Sequence, residues 1–104
     1  VVFVEKNTKS LNLIKENSLN KSKGVNYFFH KNDVFNFLSS CSNFDLILAD
    51  PPYENDYLEI LIESCLNKLN KKGKLVLETS VKHSFDNNVR QIKFGDSKIN
   101  IWKN

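Results

Sequence analysis

The feature that most constrains the fold is the passage from an apolar run into two consecutive prolines. Residues 44–49 read Phe-Asp-Leu-Ile-Leu-Ala, and Asp50, Pro51, Pro52 and Tyr53 follow directly. The apolar run predicts a buried strand. Each proline fixes φ at about −65° and removes a backbone donor, so strand pairing stops there. In open α/β sheets, ligands bind beyond the carboxyl ends of the strands, which is the predicted position of Asp50.

These four residues suit one chemical task, the methylation of an exocyclic amine on a nucleobase. Such an amine is a poor nucleophile because its lone pair is delocalised into the ring. An enzyme that methylates it needs acceptors for the amine hydrogens and a flat surface for the base. The Asp50 carboxylate and the Pro51 carbonyl can accept, and the Tyr53 ring can supply the surface. A rigid loop that merely ends a strand is the alternative interpretation.

Length and composition limit the chain to one small domain. It has 104 residues, a hydrophobic content of 40% and a net charge of +3, which permits an RNA partner without requiring one. No apolar run approaches the roughly 20 residues of a membrane span, and no signal-peptide pattern is present. Cys41 and Cys65 lack metal or redox spacing and are predicted to be buried thiols of a cytoplasmic protein. His30 and His83 have no ligand spacing, so no metal is expected.

The periodicities predict strands that alternate with helices. The expected strands are 1–4, 25–29, 44–49 and 74–79, followed by a hairpin of 89–94 and 98–102 across Gly95-Asp96. The expected first helix is capped by Asn7 or Thr8 and carries Leu11, Ile14 and Leu19 inward. The second is capped by Asn32 or Asp33. The third runs from Tyr57 to Leu69, with a left-handed cap at Gly73. This order predicts a mostly parallel, doubly wound sheet with an antiparallel hairpin at one edge.

Four segments carry a resemblance to a known family. They are Val2–Lys6, Asn32–Leu38, Asp45–Tyr53 and Lys93–Ser97. Together with the element order they resemble the S-adenosylmethionine-dependent amino methyltransferases, and most of all the bacterial 16S rRNA guanine-N2 methyltransferases. The Lys93–Ser97 turn is similar to that family's closing hairpin and favours it over the DNA adenine methyltransferases.

The resemblance implies a Rossmann-like methyltransferase sheet that lacks its first, central strand. In the family that strand ends in a glycine-rich loop holding the methionine part of the cofactor, and a basic segment precedes it. Only Gly24, Gly73 and Gly95 occur here. We therefore expect 1–104 to be the C-terminal part of a methyltransferase domain, inactive or very weak alone. Loss of the central strand is expected to leave two part-sheets with unpaired edges. If the chain folds alone, we expect a rearranged sheet or association with another copy.

The resemblance also implies site residues. Glu5, with Lys6 beside it, corresponds to the cofactor-binding acid that accepts from both ribose hydroxyls. Asp33 corresponds to the acid that accepts from the adenine amino group, and the Val34 amide to the donor to a ring nitrogen. Asp50 belongs to both the cofactor and the catalytic sets. The catalytic set is Asp50, Pro51, Pro52 and Tyr53.

Simpler roles exist for several of these side chains. Glu5 can be an acid that stabilises the start of a helix, and Asp33 can be a plain N-cap. Tyr53 can be a surface aromatic packed on Pro52. The lysines at 68, 71, 72 and 74 can touch phosphates, although a solvated helix end is the simpler interpretation.

The expected cofactor is S-adenosylmethionine, and the expected partner is 16S ribosomal RNA or the small ribosomal subunit. No membrane or metal is expected, and the full-length protein is expected to be monomeric. The alternatives are an adenine-N6 methyltransferase acting on DNA or RNA, a non-catalytic remnant that binds nucleic acid or a partner chain, and an unrelated doubly wound domain.

Overall fold

The computed structural model describes residues 1–19, 24–52, 55–86 and 88–104. It divides into two compact units, Val1–Ser40 and Cys41–Asn104. The elements in chain order are β1 (Val2–Glu5), α1 (Thr8–Ser18), β2 (Phe28–Lys31), α2 (Val34–Ser40), β3 (Phe44–Ala49), α3 (Asn55–Leu66), β4 (Leu69–Ser80), β5 (Arg90–Phe94) and β6 (Ser97–Lys103).

The first unit is a parallel pair of strands with one helix on each face. Phe3 of β1 pairs with Phe29 of β2, and their rings stack with centroids 5.5 Å apart. The Lys15 ammonium of α1 lies 5.7 Å from the centroid of Phe29, which places α1 on this face. His30 points to the opposite face because side chains alternate along a strand. Its ring lies 5.1 Å from that of Phe37 in α2, so α2 covers the second face.

The second unit is a four-stranded mixed sheet in the order β3-β4-β6-β5. β3 is parallel to β4, whereas β6 is antiparallel to both β4 and β5. One face of β4 is fully buried, with Leu75 and Leu77 at 0% exposure. Helix α3 supplies three further buried apolar side chains, namely Leu58, Leu61 and Cys65. The core of this unit therefore lies between α3 and one face of the sheet.

The opposite face of this sheet is open. Leu46 and Leu48 of β3 are 54% and 70% exposed, and Ile92 and Phe94 of β5 are 45% and 52% exposed. The alternation of side chains along paired strands puts all four on the face away from Leu75 and Leu77.

The predicted end of the third helix is wrong. α3 ends at Leu66, and Leu69 is a buried strand residue that pairs with Phe44. The Phe44 amide donates to the Lys68 carbonyl at 2.7 Å, so the chain is already entering the sheet. The left-handed residue is Lys72, with φ 67°, and not Gly73. A register shift between Phe44 and Leu46 accommodates the extra residues of β4.

Other predictions were confirmed or needed smaller corrections. Asn7 caps α1 by accepting from the Ser10 amide at 3.0 Å, as predicted. Strand 44–49 and the closing hairpin are confirmed, with Gly95 at φ +56° in the turn. Leu19 is 79% exposed and belongs to no core. β2 starts three residues later than predicted, and all four residues of β1 are half-buried.

The expectation of two part-sheets is confirmed at the level of strand pairing. Within the described ranges, β1 and β2 form one sheet and the remaining strands form another. None of the helices formed by these ranges is long and apolar enough to cross a membrane.

Gly73 is required by close backbone approach. A Cβ at this position would lie 2.8 Å from the Asn70 carbonyl oxygen and 3.1 Å from that of Asp45. We expect Gly73→Ala to lower the free energy of unfolding by about 1–3 kcal/mol, because backbone atoms must shift. Urea denaturation measures this loss. The control is Gly95→Asn, since that site is open and asparagine tolerates the left-handed region; equal losses in the two variants would contradict the packing argument.

The two cysteines differ in their surroundings. Cys65 is 2% exposed, and burial, with a smaller contribution from Cys41, raises its pKa to about 11. Cys41 is half-buried, so the prediction of two buried thiols holds only for Cys65.

The raised pKa of Cys65 predicts an alkaline loss of stability. Between pH 9 and 11 the unfolded thiol is ionised while the folded thiol keeps its proton, so the free energy of unfolding falls as pH rises. The loss approaches about 2–3 kcal/mol at the upper end. Urea denaturation across this range should show a shallower pH dependence for Cys65→Ala than for the wild type, and an unchanged dependence would refute the assignment.

Candidate functional site

Glu5 lies at the carboxyl end of β1 in the first unit. Its carboxylate Oε1 accepts a hydrogen bond from the Asn7 amide at 3.1 Å, and its carbonyl accepts from the Asn32 amide at 3.2 Å. Glu5 therefore has the predicted position at the end of β1, and its bond to the Asn7 amide lies just before α1, whose first turn contains no acid. A carboxylate offers lone pairs on two oxygens, and within the described residues no hydrogen bond reaches Oε2. Lys6, the next residue, is exposed.

Asp33 caps the second helix of the same unit. Its Oδ1 accepts from the amides of Phe35 and Asn36, at 2.9 and 3.2 Å. The N-cap interpretation is thus confirmed, while Oδ2 accepts no bond from the described part of the chain. Val34 is the first residue of α2, where the backbone amide has no partner inside the helix. The Asp33 oxygen and the Val34 amide form an acceptor and a donor on adjacent residues.

Asp50 follows the last residue of β3 in the second unit. Ala49 pairs with Leu77 of β4, so Asp50 is the first residue beyond the ladder. Its side chain is exposed, Pro51 is half-buried and Pro52 is exposed. This confirms the predicted position at the carboxyl end of a parallel strand, where the prolines prevent the strand from continuing. Tyr53, the predicted stacking surface, lies outside the described residues.

The structure thus gathers the predicted site residues in two groups. Glu5, Lys6, Asp33 and Val34 lie together in the first unit, because β1 and β2 are parallel and Glu5 pairs with Lys31. Asp50, Pro51 and Pro52 lie in the second unit. Among the residues that the structure describes, no group of three or more His, Cys, Asp or Glu side chains is arranged to hold a metal ion.

A buried polar cluster on β4 and β6 was missed at the sequence level. Thr79 and Asn100 are 0% exposed, and the Asn100 amide donates to Thr79 Oγ1 at 2.9 Å. Lys98 is 3% exposed; its ammonium donates to the His83 carbonyl and lies 5.6 Å from the centroid of the Phe85 ring. Burial lowers the pKa of Lys98, with a smaller contribution from Lys93. The sequence did contain a signal for this cluster, because Lys98, Asn100 and Trp102 are spaced two residues apart and so lie on one face of β6.

Comparison with solved structures defines the class of fold. A conserved hypothetical protein from Streptococcus pyogenes superposes with a TM-score of 0.84 at 24% identity, covering 99% of this chain and 70% of that one. A proposed methylase from Haemophilus influenzae superposes with a TM-score of 0.78 at 20% identity, and the match covers 100% of this chain and 71% of that one. A proposed methyltransferase complexed with SAH superposes with a TM-score of 0.71 at 16% identity, and the match covers 98% of this chain and 38% of that one. The chain therefore has the α/β fold of S-adenosylmethionine-dependent methyltransferases.

The family follows from the sequence. The chain belongs to the family described as Conserved hypothetical protein 95, whose model matches residues 1–103. A search of the curated proteins gave no significant match.

The capping role of Asp33 can be tested separately from any binding role. Asp33→Asn keeps an oxygen that accepts from the Phe35 and Asn36 amides, whereas Asp33→Ala removes it. We expect Asp33→Ala to lower the free energy of unfolding by about 1 kcal/mol and Asp33→Asn to lower it much less. Chemical denaturation of both variants measures the difference. A loss of the same size in both would mean that the negative charge, and not the cap, stabilises α2.

Proposed function

We propose that this chain carries the acceptor and adenosine-binding residues of an enzyme that transfers a methyl group from S-adenosylmethionine to the N2 amine of a guanine in 16S ribosomal RNA. The observation that carries the proposal is the exposed Asp50 carboxylate, which lies directly beyond the β3–β4 ladder and is followed by two prolines. The family membership and the fold shared with methyltransferases support it. The choice of a 16S rRNA guanine as substrate rests on the family resemblance of the four sequence segments.

The residues of the first unit fit an adenosine group. Glu5 Oε2 can accept from ribose hydroxyls while Oε1 remains bonded to the Asn7 amide. Asp33 Oδ2 can accept from an adenine amino group while Oδ1 caps α2, and the Val34 amide can donate to a ring nitrogen. These contacts orient both carboxylates, since each already has one oxygen bonded to the backbone. The complex of a structural neighbour with SAH supports this choice of cofactor.

The cofactor supplies an activated methyl group on its sulfonium, so the chain needs no metal or covalent nucleophile. Asp50 has a different task. Its carboxylate accepts a hydrogen bond from the target amine, orients that amine and stabilises the positive charge that develops on it as the methyl arrives. The Pro51 carbonyl is the second acceptor, and Tyr53 is the stacking surface for a base turned out of its helix or loop.

Pro51 and Pro52 keep these acceptors in place. A proline has one fixed backbone torsion, and the residue before it is restricted to extended conformations. Asp50 and Pro51 both precede a proline, so the segment that carries the two acceptors has few alternative conformations. A preorganised acceptor loses little entropy when the amine binds and needs no reorganisation as positive charge develops on the amine.

Transfer is proposed to need more than residues 1–104. The chain spans 70% of the Streptococcus pyogenes protein and 60% of a proposed methyltransferase from Escherichia coli. The glycine-rich loop that the resemblance implies has no counterpart here. We therefore expect a strong gain in activity when the chain is extended upstream through that loop.

The proposal is tested by incubating labelled S-adenosylmethionine with small ribosomal subunits that lack the modification, using the chain alone and the extended chain. The RNA is then digested and the labelled nucleoside identified. N2-methylguanosine is the expected product. N6-methyladenosine would instead support an adenine methyltransferase, and transfer by neither protein would favour a non-catalytic remnant.

Asp50 should be essential to that reaction. Asp50→Asn keeps an acceptor oxygen but removes the charge, so we expect kcat to fall by roughly 10²- to 10³-fold with little change in stability. The matched control is Asp45→Asn on the same strand; Asp45 is also exposed, and the variant keeps an oxygen for the Asn70 amide that donates to it at 2.9 Å. Single-turnover methyl transfer measures both. Equal rates in the two variants would remove Asp50 from the mechanism.

A further inference from the structure

Four lysines meet at the amino end of β4. This lysine corner consists of Lys71, Lys72, Lys74 and Lys103, all exposed. Two contacts bring them together. The Lys72 amide donates to the Asn104 carbonyl oxygen at 3.2 Å, and Lys74 pairs with Lys103 across the antiparallel ladder.

The Lys74–Lys103 pair is unfavourable in the isolated chain. Residues directly opposite in an antiparallel ladder have Cβ atoms about 4.5–5.5 Å apart, and like charges there repel each other. The next pair on the same face is Val76 with Ile101, which supplies no counter-charge. A bound anion would convert this repulsion into attraction, because both ammonium groups could contact it.

The helix-end interpretation of these lysines is wrong. The field of a helix dipole falls off within its last turn, and α3 ends at Leu66, whereas Lys71, Lys72 and Lys74 lie in β4. Lys68 does not belong to the corner, since its ammonium donates to the Cys41 carbonyl at 3.0 Å.

In the part of the chain that the structure describes, no acidic side chain forms an ion pair with the corner. Asp45 is the acid nearest in register, and its Oδ1 accepts from the Asn70 amide at 2.9 Å. Over the described ranges, no hydrogen bond or ion pair holds the four ammonium groups. The corner is therefore a concentration of positive charge available to an external anion.

We propose that the lysine corner binds the phosphodiester backbone of the RNA substrate, away from the base that is methylated. This inference rests on the proposed function. Lysine is a compact charge suited to phosphate, and the net charge of +3 permits association with a polyanion. A nucleic acid is chosen over an acidic protein because the proposed substrate is an RNA.

The corner and Asp50 mark opposite ends of β3 and β4. Leu46, the register partner of Lys74, precedes Asp50 by four residues. At a rise of about 3.3 Å per residue, Lys74 and Asp50 are therefore about 13 Å apart along the strand direction. A mononucleotide at Asp50 cannot reach the corner, whereas an RNA chain can. The corner should therefore affect the binding of RNA and not of a mononucleotide.

The test is the affinity of the chain for a labelled RNA hairpin, measured by fluorescence anisotropy over a range of salt concentrations. In a plot of log K for hairpin binding against the logarithm of the salt concentration, the slope has a negative sign. Lys74→Gln/Lys103→Gln should reduce the magnitude of this slope by about 1.4–1.8, since two phosphate contacts are lost. Lys74→Arg/Lys103→Arg should retain the wild-type slope. The control is Lys9→Gln/Lys93→Gln, which removes two exposed charges elsewhere and should change the slope much less.

A stability measurement accompanies the binding test. Removal of the like-charge pair in Lys74→Gln/Lys103→Gln should leave Tm unchanged or raise it, so weaker binding cannot be attributed to unfolding. Equal loss of slope in the control variant would overturn the proposal, as would an unchanged slope in the test variant. Tighter binding to polyglutamate than to the hairpin at equal ionic strength would also overturn it and assign the corner to an acidic protein.

The two proposals can fail separately. If the lysine variants weaken hairpin binding but no methyl transfer to RNA is found in any form of the protein, the corner stands and the proposed function fails. If transfer proceeds and the lysine variants bind normally, the function stands and the corner fails.

Discussion

The parallel pairing of β3 with β4 is the constraint on which the candidate catalytic segment depends. It is held by the buried side chains of Leu75 and Leu77, which pack beneath α3. Because Ala49 pairs with Leu77, the ladder fixes where Asp50 emerges, and the two prolines prevent the pairing from extending past it. A slip of one residue would turn Ile47 and Ala49 away from the core, so the position of Asp50 is set by the apolar core.

The acids of the first unit combine structural and candidate binding roles. Glu5 and Asp33 each use one oxygen to accept from backbone amides at the start of a helix. From the sequence, the N-cap role of Asp33 was the simpler alternative to its binding role. The geometry allows coexistence, because the second oxygen of each carboxylate stays available. Such contacts give the side chain a fixed direction before any ligand arrives, which reduces the entropy lost on binding.

Much of the fold could be predicted from the sequence, and the failures have physical causes. Strand 44–49 and the hairpin at Gly95 were predictable because apolar runs and turn residues are local signals. The end of α3 was not, since Leu69 fits the helical period equally well and only pairing with Phe44 draws it into β4. The glycine at 73 was attributed to a helix cap, whereas it is needed because three carbonyl oxygens crowd the position. The position of Asp50 was predicted, but its catalytic role is a proposal.

The most direct test of the central claim is the structure of the protein bound to SAH and to an RNA fragment that contains the target guanine. The account predicts an Asp50 carboxylate oxygen about 2.7–3.2 Å from the N2 amine of that guanine, with the Pro51 carbonyl as the second acceptor. A complex in which other groups accept from the amine, while Asp50 remains in solvent, would contradict the account.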